Sequence, residues 1–148
     1  MTCQISEMTI QDYDEAYTLW QRCEGIGLSE ADSRCGIEAF LKHNPGLSFT
    51  ARTDEGVAGT VLCGSDGRRG YLYHLAVDAS CRRMGIGKAL MERSLSALRA
   101  RGIQRCHITV FKDNTNGLAF WQSLDWKLRK DIAILSYDLV AAEGGATC

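Results

Sequence analysis

Seven consecutive residues carry the densest chemistry in the chain: Arg82-Arg83-Met84-Gly85-Ile86-Gly87-Lys88. They lie between a strand-like run, Tyr71-Leu72-Tyr73-His74-Leu75-Ala76-Val77, and a stretch with helical apolar spacing through Ile86, Ala89, Leu90, Leu95, Ala97 and Leu98. A loop in that position aims several N–H groups of the first helical turn at one spot, and a phosphate fits there. Gly85 and Gly87 remove side chains that block close backbone approach. The positive end of the helix dipole, with Arg82, Arg83 and Lys88, favours an anion. The spacing is not that of a P-loop, G-x-x-x-x-G-K-[ST], because Arg82 occupies the first glycine position and Ala89 the Ser/Thr position. Nor is it the dinucleotide fingerprint G-x-G-x-x-G, because Leu90 stands where the third glycine belongs.

Arg82-Arg83-Met84-Gly85-Ile86-Gly87 does match [Gln/Arg]-x-x-Gly-x-[Gly/Ala], and in this the chain resembles the GNAT N-acetyltransferase superfamily. The likeness extends to the preceding strand ending Leu75-Ala76-Val77, to the helix after the loop, and to a downstream stretch similar to the family's Asn-x-x-Ala-x-x-Phe-Tyr. In that stretch Asn114, Gly117, Phe120 and Trp121 hold the corresponding places. The motifs span residues 71 to 126, and the element order agrees over nearly the whole chain. The resemblance implies that the loop Arg82 to Lys88 cradles the pyrophosphate of acetyl-coenzyme A. It implies that main-chain groups of Leu75, Ala76 and Val77 pair with the pantetheine arm, and that the N–H of Leu75 donates to the oxyanion. Asn114 then hydrogen-bonds the same arm, a role compatible with capping the helix that follows it.

Direct attack of an amine on the thioester carbonyl is the implied reaction, and it needs two substrates held in line, an oxyanion donor and two proton transfers. The proton-transfer positions depart from the family. Many members carry a tyrosine seven residues after the Asn to protonate the thiolate; here it is Trp121, whose indole N–H is no usable acid near neutral pH. A thiolate with a pKa near 8.5 is a tolerable leaving group, so water can serve, with Trp121 packed beside the sulfur or in the core. The two positions that often hold a glutamate base are Tyr71 and Thr109. Tyr71 is the expected base, relaying its proton through water, with His74, Tyr73 and Glu24 as alternatives if a bulge re-aims the strand's side chains.

By the same resemblance the first two helices shape the acceptor site, with Trp20 and Glu24, and Tyr73 from the strand, as substrate-binding residues. Residues 1–40 hold eight acids against Arg22 and Arg34, a local balance of −6, which either attracts a cationic amine or forms solvated helix faces. Residues 81–105 hold seven basic residues against Glu92, a balance of +6.

These residues need a scaffold, and the pattern supplies one. A short strand at Ile5 to Met8 leads into a helix over about 10–23 that opens on a Thr9/Asp12 capping box. Ser33 starts a second helix, ended at His43-Asn44-Pro45-Gly46. Leu47–Arg52 and Val57–Cys63 about Asp54-Glu55-Gly56 read as a hairpin, followed by the strand of residues 71–77. After the long helix come a strand at Cys106–Val110, a short helix capped by Asn114, and one or two last strands over Trp126–Leu139. The implied class is α/β (α+β), with the fold of the GNAT family: a mixed, mostly antiparallel sheet of six to seven strands with helices on both faces. One acetyltransferase domain over residues 1–140 and a flexible tail over 141–148 are expected.

The 148 residues suit one core, and 17 basic against 18 acidic side chains, net −1, exclude a whole-surface attraction to nucleic acid or an anionic membrane. No apolar run approaches the roughly 20 residues of a membrane span, and Met1-Thr2-Cys3-Gln4 lacks a secretory start, so a cytoplasmic protein is expected. Seven cysteines are odd in number and show no C-x-x-C spacing, which supports neither a disulfide framework nor a metal site; reduced thiols are expected for most. The expected function is N-acetyl transfer from acetyl-coenzyme A to a primary amine, of a small molecule or a protein, with a homodimer possible. The alternative is a non-catalytic acyl-coenzyme-A sensor.

Overall fold

The computed structural model describes residues 2–139, so the expected tail at 141–148 lies outside the described residues. The chain divides into two compact units, Met1–Thr109 and Val110–Cys148, each described by itself.

The first unit runs β1 (Gln4–Glu7), α1 (Tyr13–Arg22), α2 (Arg34–His43), β2 (Phe49–Thr53), β3 (Gly56–Ser65), β4 (Gly70–Val77), α3 (Ile86–Ala100), β5 (Cys106–Ile108). The sheet order is β1-β2-β3-β4-β5, antiparallel through β4 and parallel between β4 and β5. This is the expected mixed, mostly antiparallel sheet, but with five strands among the described residues rather than six to seven. Trp126–Leu139 forms no strand among the described residues. A strand exists through its ladder to a neighbour, which apolar and β-branched composition alone cannot supply.

Local signals set the helix ends. Thr9 N–H donates to Asp12 at 2.9 Å, as the capping spacing predicts, yet the first turn (Ile10–Asp12) is 3-10 and α1 begins only at Tyr13. Ser33 Oγ accepts from Gly36 N–H at 3.0 Å and opens α2. Between the helices a second capping turn (Glu30–Asp32) forms, where Ser29 N–H donates to Asp32 Oδ2 at 3.0 Å.

Alternation along β3 assigns the two faces of the sheet. Thr60 and Leu62 look toward α1 and α2, where Tyr13, Ala16, Leu19, Trp20 and Ile37 pack with Val57, Leu62 and Ala76. Gly59 looks the other way: a Cβ there would meet Leu90 and Ile86 of α3, just as one on Gly70 would meet Leu98. Helices therefore cover both faces.

Strand β4 is irregular in two ways. Its ladder to β5 covers only Gly70–Leu72, so from Tyr73 to Val77 it pairs with β3 alone. Its ladder to β3 also slips: Leu62 opposes Tyr73 and Thr60 opposes Ala76, which leaves both His74 and Leu75 opposite Val61. The slip is a β-bulge, with His74 in the left-handed region at φ 48.

Of the thiols, Cys3, Cys23, Cys63 and Cys106 are free. Cys35 is disulfide-bonded, an exception to the reduced state expected for most of the cysteines, because sequence spacing does not report which cysteines a fold brings together.

In the second unit α4 (Thr115–Ser123) is capped by Asn114, whose Oδ1 accepts from Gly117 N–H at 3.0 Å. Trp121 is buried against the rings of Phe120 and Trp126. Beyond them Ile134, Leu135, Tyr137 and Leu139 are exposed.

Candidate active site

The loop between β4 and α3 has the shape its glycines require. Arg83 (φ 67) and Gly85 (φ 76) are both left-handed, and Gly85 is the N-cap of the 15-residue α3 with no side chain to satisfy the first-turn N–H groups. Two left-handed residues in three turn successive amides into one concavity, the geometry that binds a phosphate. A Cβ on Gly85 would meet nothing within 4 Å, so the space in front of the turn is open. Arg83, Met84 and Lys88 are exposed around it. Ile86 instead buries its side chain in the core and offers the loop only its backbone, while Gly87 continues the first turn. Arg82 donates through Nε to the Val77 carbonyl at 3.3 Å, so it braces the loop against the strand as well as adding charge.

Next to this cradle lies the stretch of β4 that has parted from β5. Backbone edges of Tyr73 to Val77 that face away from β3 have no neighbouring strand among the described residues, and an extended chain can add there as a strand would. Leu75, expected as oxyanion donor, and Ala76 lie on this stretch, and Leu75 is at the bulge itself. The Val77 carbonyl is already engaged by Arg82 and by the Cys23 thiol (3.8 Å), which narrows the expectation that every main-chain group of Leu75 to Val77 is free for the arm. The open edge and the phosphate cradle follow each other in the chain, and together they fit the pantetheine and pyrophosphate of coenzyme A.

The bulge re-aims His74 toward α1. Its Nε2 lies 2.7 Å from Asp32 Oδ1, with both side chains nearly buried at 13% and 10% exposure. The Trp20 ring lies 4.7 Å from the imidazole. Trp20 Nε1–H donates to Thr60 Oγ1 at 2.8 Å, and Thr60 Oγ1–H donates to the His74 carbonyl at 2.9 Å. Asp32 is held from two sides, by Ser29 N–H on its carboxylate and by the Tyr13 hydroxyl, which donates to its carbonyl at 2.7 Å.

The remaining predicted residues divide. Trp20 is 1% exposed, so it cannot line a substrate surface; the apolar face of α1 takes it into the core, and it acts by supporting the bulge. Tyr73 is exposed, edge-on to Phe40 at 5.9 Å, and desolvation holds its phenol above the ordinary value. Glu24 is exposed just past α1. Tyr71 sits where β4 is still paired to β5, its ring 5.8 Å from His107. It precedes Leu75 by four residues, about 13 Å along a strand. In the second unit Asn114 is a helix cap and Trp121 a core residue, both roles the sequence also allowed.

Most of the acidity of residues 1–40 is consumed inside the fold. Asp12 and Glu15 pair with Arg52, Asp14 with Arg34, Asp32 with His74, and Glu7 accepts from Gly46 N–H. Glu24, Glu30 and Glu38 have no such partners among the described residues. Sequence reasoning missed Asp32 and Thr60 as the partners of His74. The Ser29-to-Asp32 capping spacing was a legible sign of a turn, but nothing in it points to a histidine 42 residues away.

Comparison with known proteins agrees with this geometry. The family model described as "Acetyltransferase (GNAT) family" matches residues 13–126. Acetyltransferase SG1711 of Sodalis glossinidius is 32% identical over 129 residues, covering 87% of this chain and 90% of that protein. Acetyltransferase ECA0875 of Pectobacterium atrosepticum is 34% identical over 116 residues, covering 78% and 82%. Among solved structures, the PaiA N-acetyltransferase of Thermoplasma acidophilum in complex with coenzyme A aligns with a TM-score of 0.74 at 18% identity, over 84% of this chain and 89% of that one, a likeness of fold.

Proposed function

The chain belongs to the acetyltransferase (GNAT) family and is an acetyl-coenzyme-A-dependent acetyltransferase, and from that premise we propose that it acetylates a primary amine by direct attack in a ternary complex. The observation that carries this reading is the parting of β4 from β5 beyond Leu72, immediately before a loop with two left-handed residues at an uncapped helix start. Bound acetyl-coenzyme A supplies a thioester already activated toward amines, so the N–C bond forms as the C–S bond breaks.

The chain's own groups do the rest. First-turn amides of Ile86, Gly87 and Lys88, with Arg83 and Lys88 beside them, hold the pyrophosphate. The Leu75 N–H, at the bulge, donates to the carbonyl oxygen as negative charge grows there, an interaction stronger in the transition state than before it. The acceptor approaches from the side of α1 and α2, past Tyr73 and Glu24, and carries a cation that Glu24, Glu30 and Glu38 attract. Asn114 and Trp121 contribute as cap and core residue of the second unit. A single domain over residues 1–140 is part of the same reading, supported by a family match that runs from 13 to 126. So is a homodimer, supported by the exposed apolar residues Ile134, Leu135, Tyr137 and Leu139. A cytoplasmic location belongs to the proposal as well, and no helix among the described residues is long and apolar enough to cross a membrane.

The test is incubation of purified protein with acetyl-coenzyme A and a panel of amines, small-molecule and peptide, following free thiol. Amine-dependent thiol release with matching N-acetyl product is expected. Tight binding of acetyl-coenzyme A with no release for any amine would make the protein a sensor instead.

A further inference from the structure

We propose that His74 is the group that takes the proton from the attacking ammonium, with Asp32 as its positioning residue; the role rests on the amine-acetylation reading. A carboxylate is acceptor-only, so at 2.7 Å from Asp32 Oδ1 the neutral imidazole carries its proton on Nε2 and its lone pair on Nδ1. Nδ1 has no hydrogen-bond partner among the described residues and is not sealed from solvent. It is therefore the one ring atom positioned to accept a proton.

Three features make this more than a structural histidine. The first is cost: a non-glycine residue at φ 48 carries backbone strain, maintained only where the surroundings over-determine it. The Trp20–Thr60–His74 chain and the doubly held Asp32 provide that surrounding structure. The second is location, because His74 directly precedes Leu75, which places the base beside the oxyanion donor rather than about 13 Å away as for Tyr71. The third is electrostatic: when Nδ1 binds a proton, the imidazolium faces the Asp32 carboxyl group at 2.7 Å, which stabilises it. The titratable or charged groups around the pair are Tyr13, through its hydroxyl on the Asp32 carbonyl, and Arg34, which lies over the Tyr13 ring and pairs with Asp14.

The proton balance closes. An ammonium must lose two protons to become an amide: one goes to Nδ1 and then to solvent as the ring neutralises, and the other goes to the departing thiolate, directly or through water. No group on the chain is changed at the end of the cycle.

The experiment combines imidazole nitrogen NMR of the intact protein without ligands with kinetics on the best amine. Two variants serve: His74→Asn, chosen because asparagine tolerates a left-handed backbone, and Asp32→Asn. The wild-type ring is expected as the Nε2–H tautomer. In Asp32→Asn the side-chain amide donates to Nε2 and the proton moves to Nδ1. His74→Asn is expected to lower kcat by about 10²- to 10³-fold at neutral pH, with KM for acetyl-coenzyme A within twofold and the rising limb of the pH profile abolished. Asp32→Asn is expected to lower kcat ten- to a hundredfold. Should either variant fold poorly, the wild-type NMR tautomer and the other variant still decide. Wild-type kcat and pH profile in His74→Asn, an Nδ1–H tautomer in the wild type, or loss of the rising limb in Tyr71→Phe instead, would each overturn the assignment while leaving amine acetylation intact. Absence of wild-type thiol release with every amine would overturn both.

Discussion

Thr60 offers the sharpest test of how the core sets the site. Its side chain is fully buried, and its one hydroxyl accepts from Trp20 Nε1–H at 2.8 Å and donates to the His74 carbonyl at 2.9 Å. Thr60→Val keeps the shape and exchanges hydroxyl for methyl, so transfer free energy alone predicts a neutral or stabilising change. The hydrogen bonds predict the opposite. Both an indole N–H and a bulge carbonyl lose their partner, and orphaned buried groups cost about 1–3 kcal/mol each. Allowing for partial relaxation, the loss is about 2–4 kcal/mol, a fall in Tm of about 4–16 °C for a chain of this size. Thr60→Ser keeps the hydroxyl and deletes one buried methyl, which costs about 0.5–1.5 kcal/mol. Denaturant unfolding of both variants gives the two free energies, and kcat on the best amine reports whether the bulge has moved. Valine is expected to be the more damaging substitution in both assays. A Thr60→Val protein at least as stable as Thr60→Ser would refute the claim that this hydroxyl holds Trp20 and the bulge together.

Other outcomes follow from the same geometry. Gly85→Ala places a Cβ in open space, so its effect is backbone strain alone, about 1–2 kcal/mol by calorimetry or denaturant unfolding. Arg83→Gly relieves the same strain and leaves stability within about 1 kcal/mol of wild type, yet weakens coenzyme A binding about two- to fivefold by calorimetric titration. The Glu15 carboxyl is held below its ordinary value, first by the Val57 N–H and then by Arg52, so its stabilising contribution is full above the unfolded pKa of about 4.3 and is lost as pH falls through the lower folded value. Glu15→Gln should accordingly flatten the acid limb of a stability profile below about pH 4.3. Burial pushes the Cys63 thiol up to about 12 and Cys106 up to about 11, so neither should react with iodoacetamide in the native protein near pH 8 over a time that labels the unfolded chain fully, as read by mass spectrometry.

The shape and charge of the loop Arg82 to Lys88 were legible in the chain because their sources are local: two glycines, three cations and a helix start within seven residues. The strand before it, the periodicity of α3, and the caps Ser33 and Asn114 were legible for the same reason, since a helix or strand face repeats within a few residues. Boundaries moved only where local rules compete, as at Ile10–Asp12, where the capping spacing formed but closed a 3-10 turn. The lost strands over Trp126–Leu139 show the limit of composition, for a strand also needs a partner.

What the sequence by itself determined, then, is the order of elements and the glycine-rich turn between β4 and α3, both written in short-range geometry. The surroundings of His74 were decided by tertiary structure. Whether His74 faces α1 or α3 depends on one residue of register between β3 and β4, and a slip of one residue exchanges the faces of a strand. Its pairing with Asp32 spans 42 positions, and the burial of Trp20, which removed it from the acceptor surface, depends on a hydroxyl 40 positions away. Such contacts form only when the chain closes on itself and each buried polar group must find a partner, a condition no local pattern can encode.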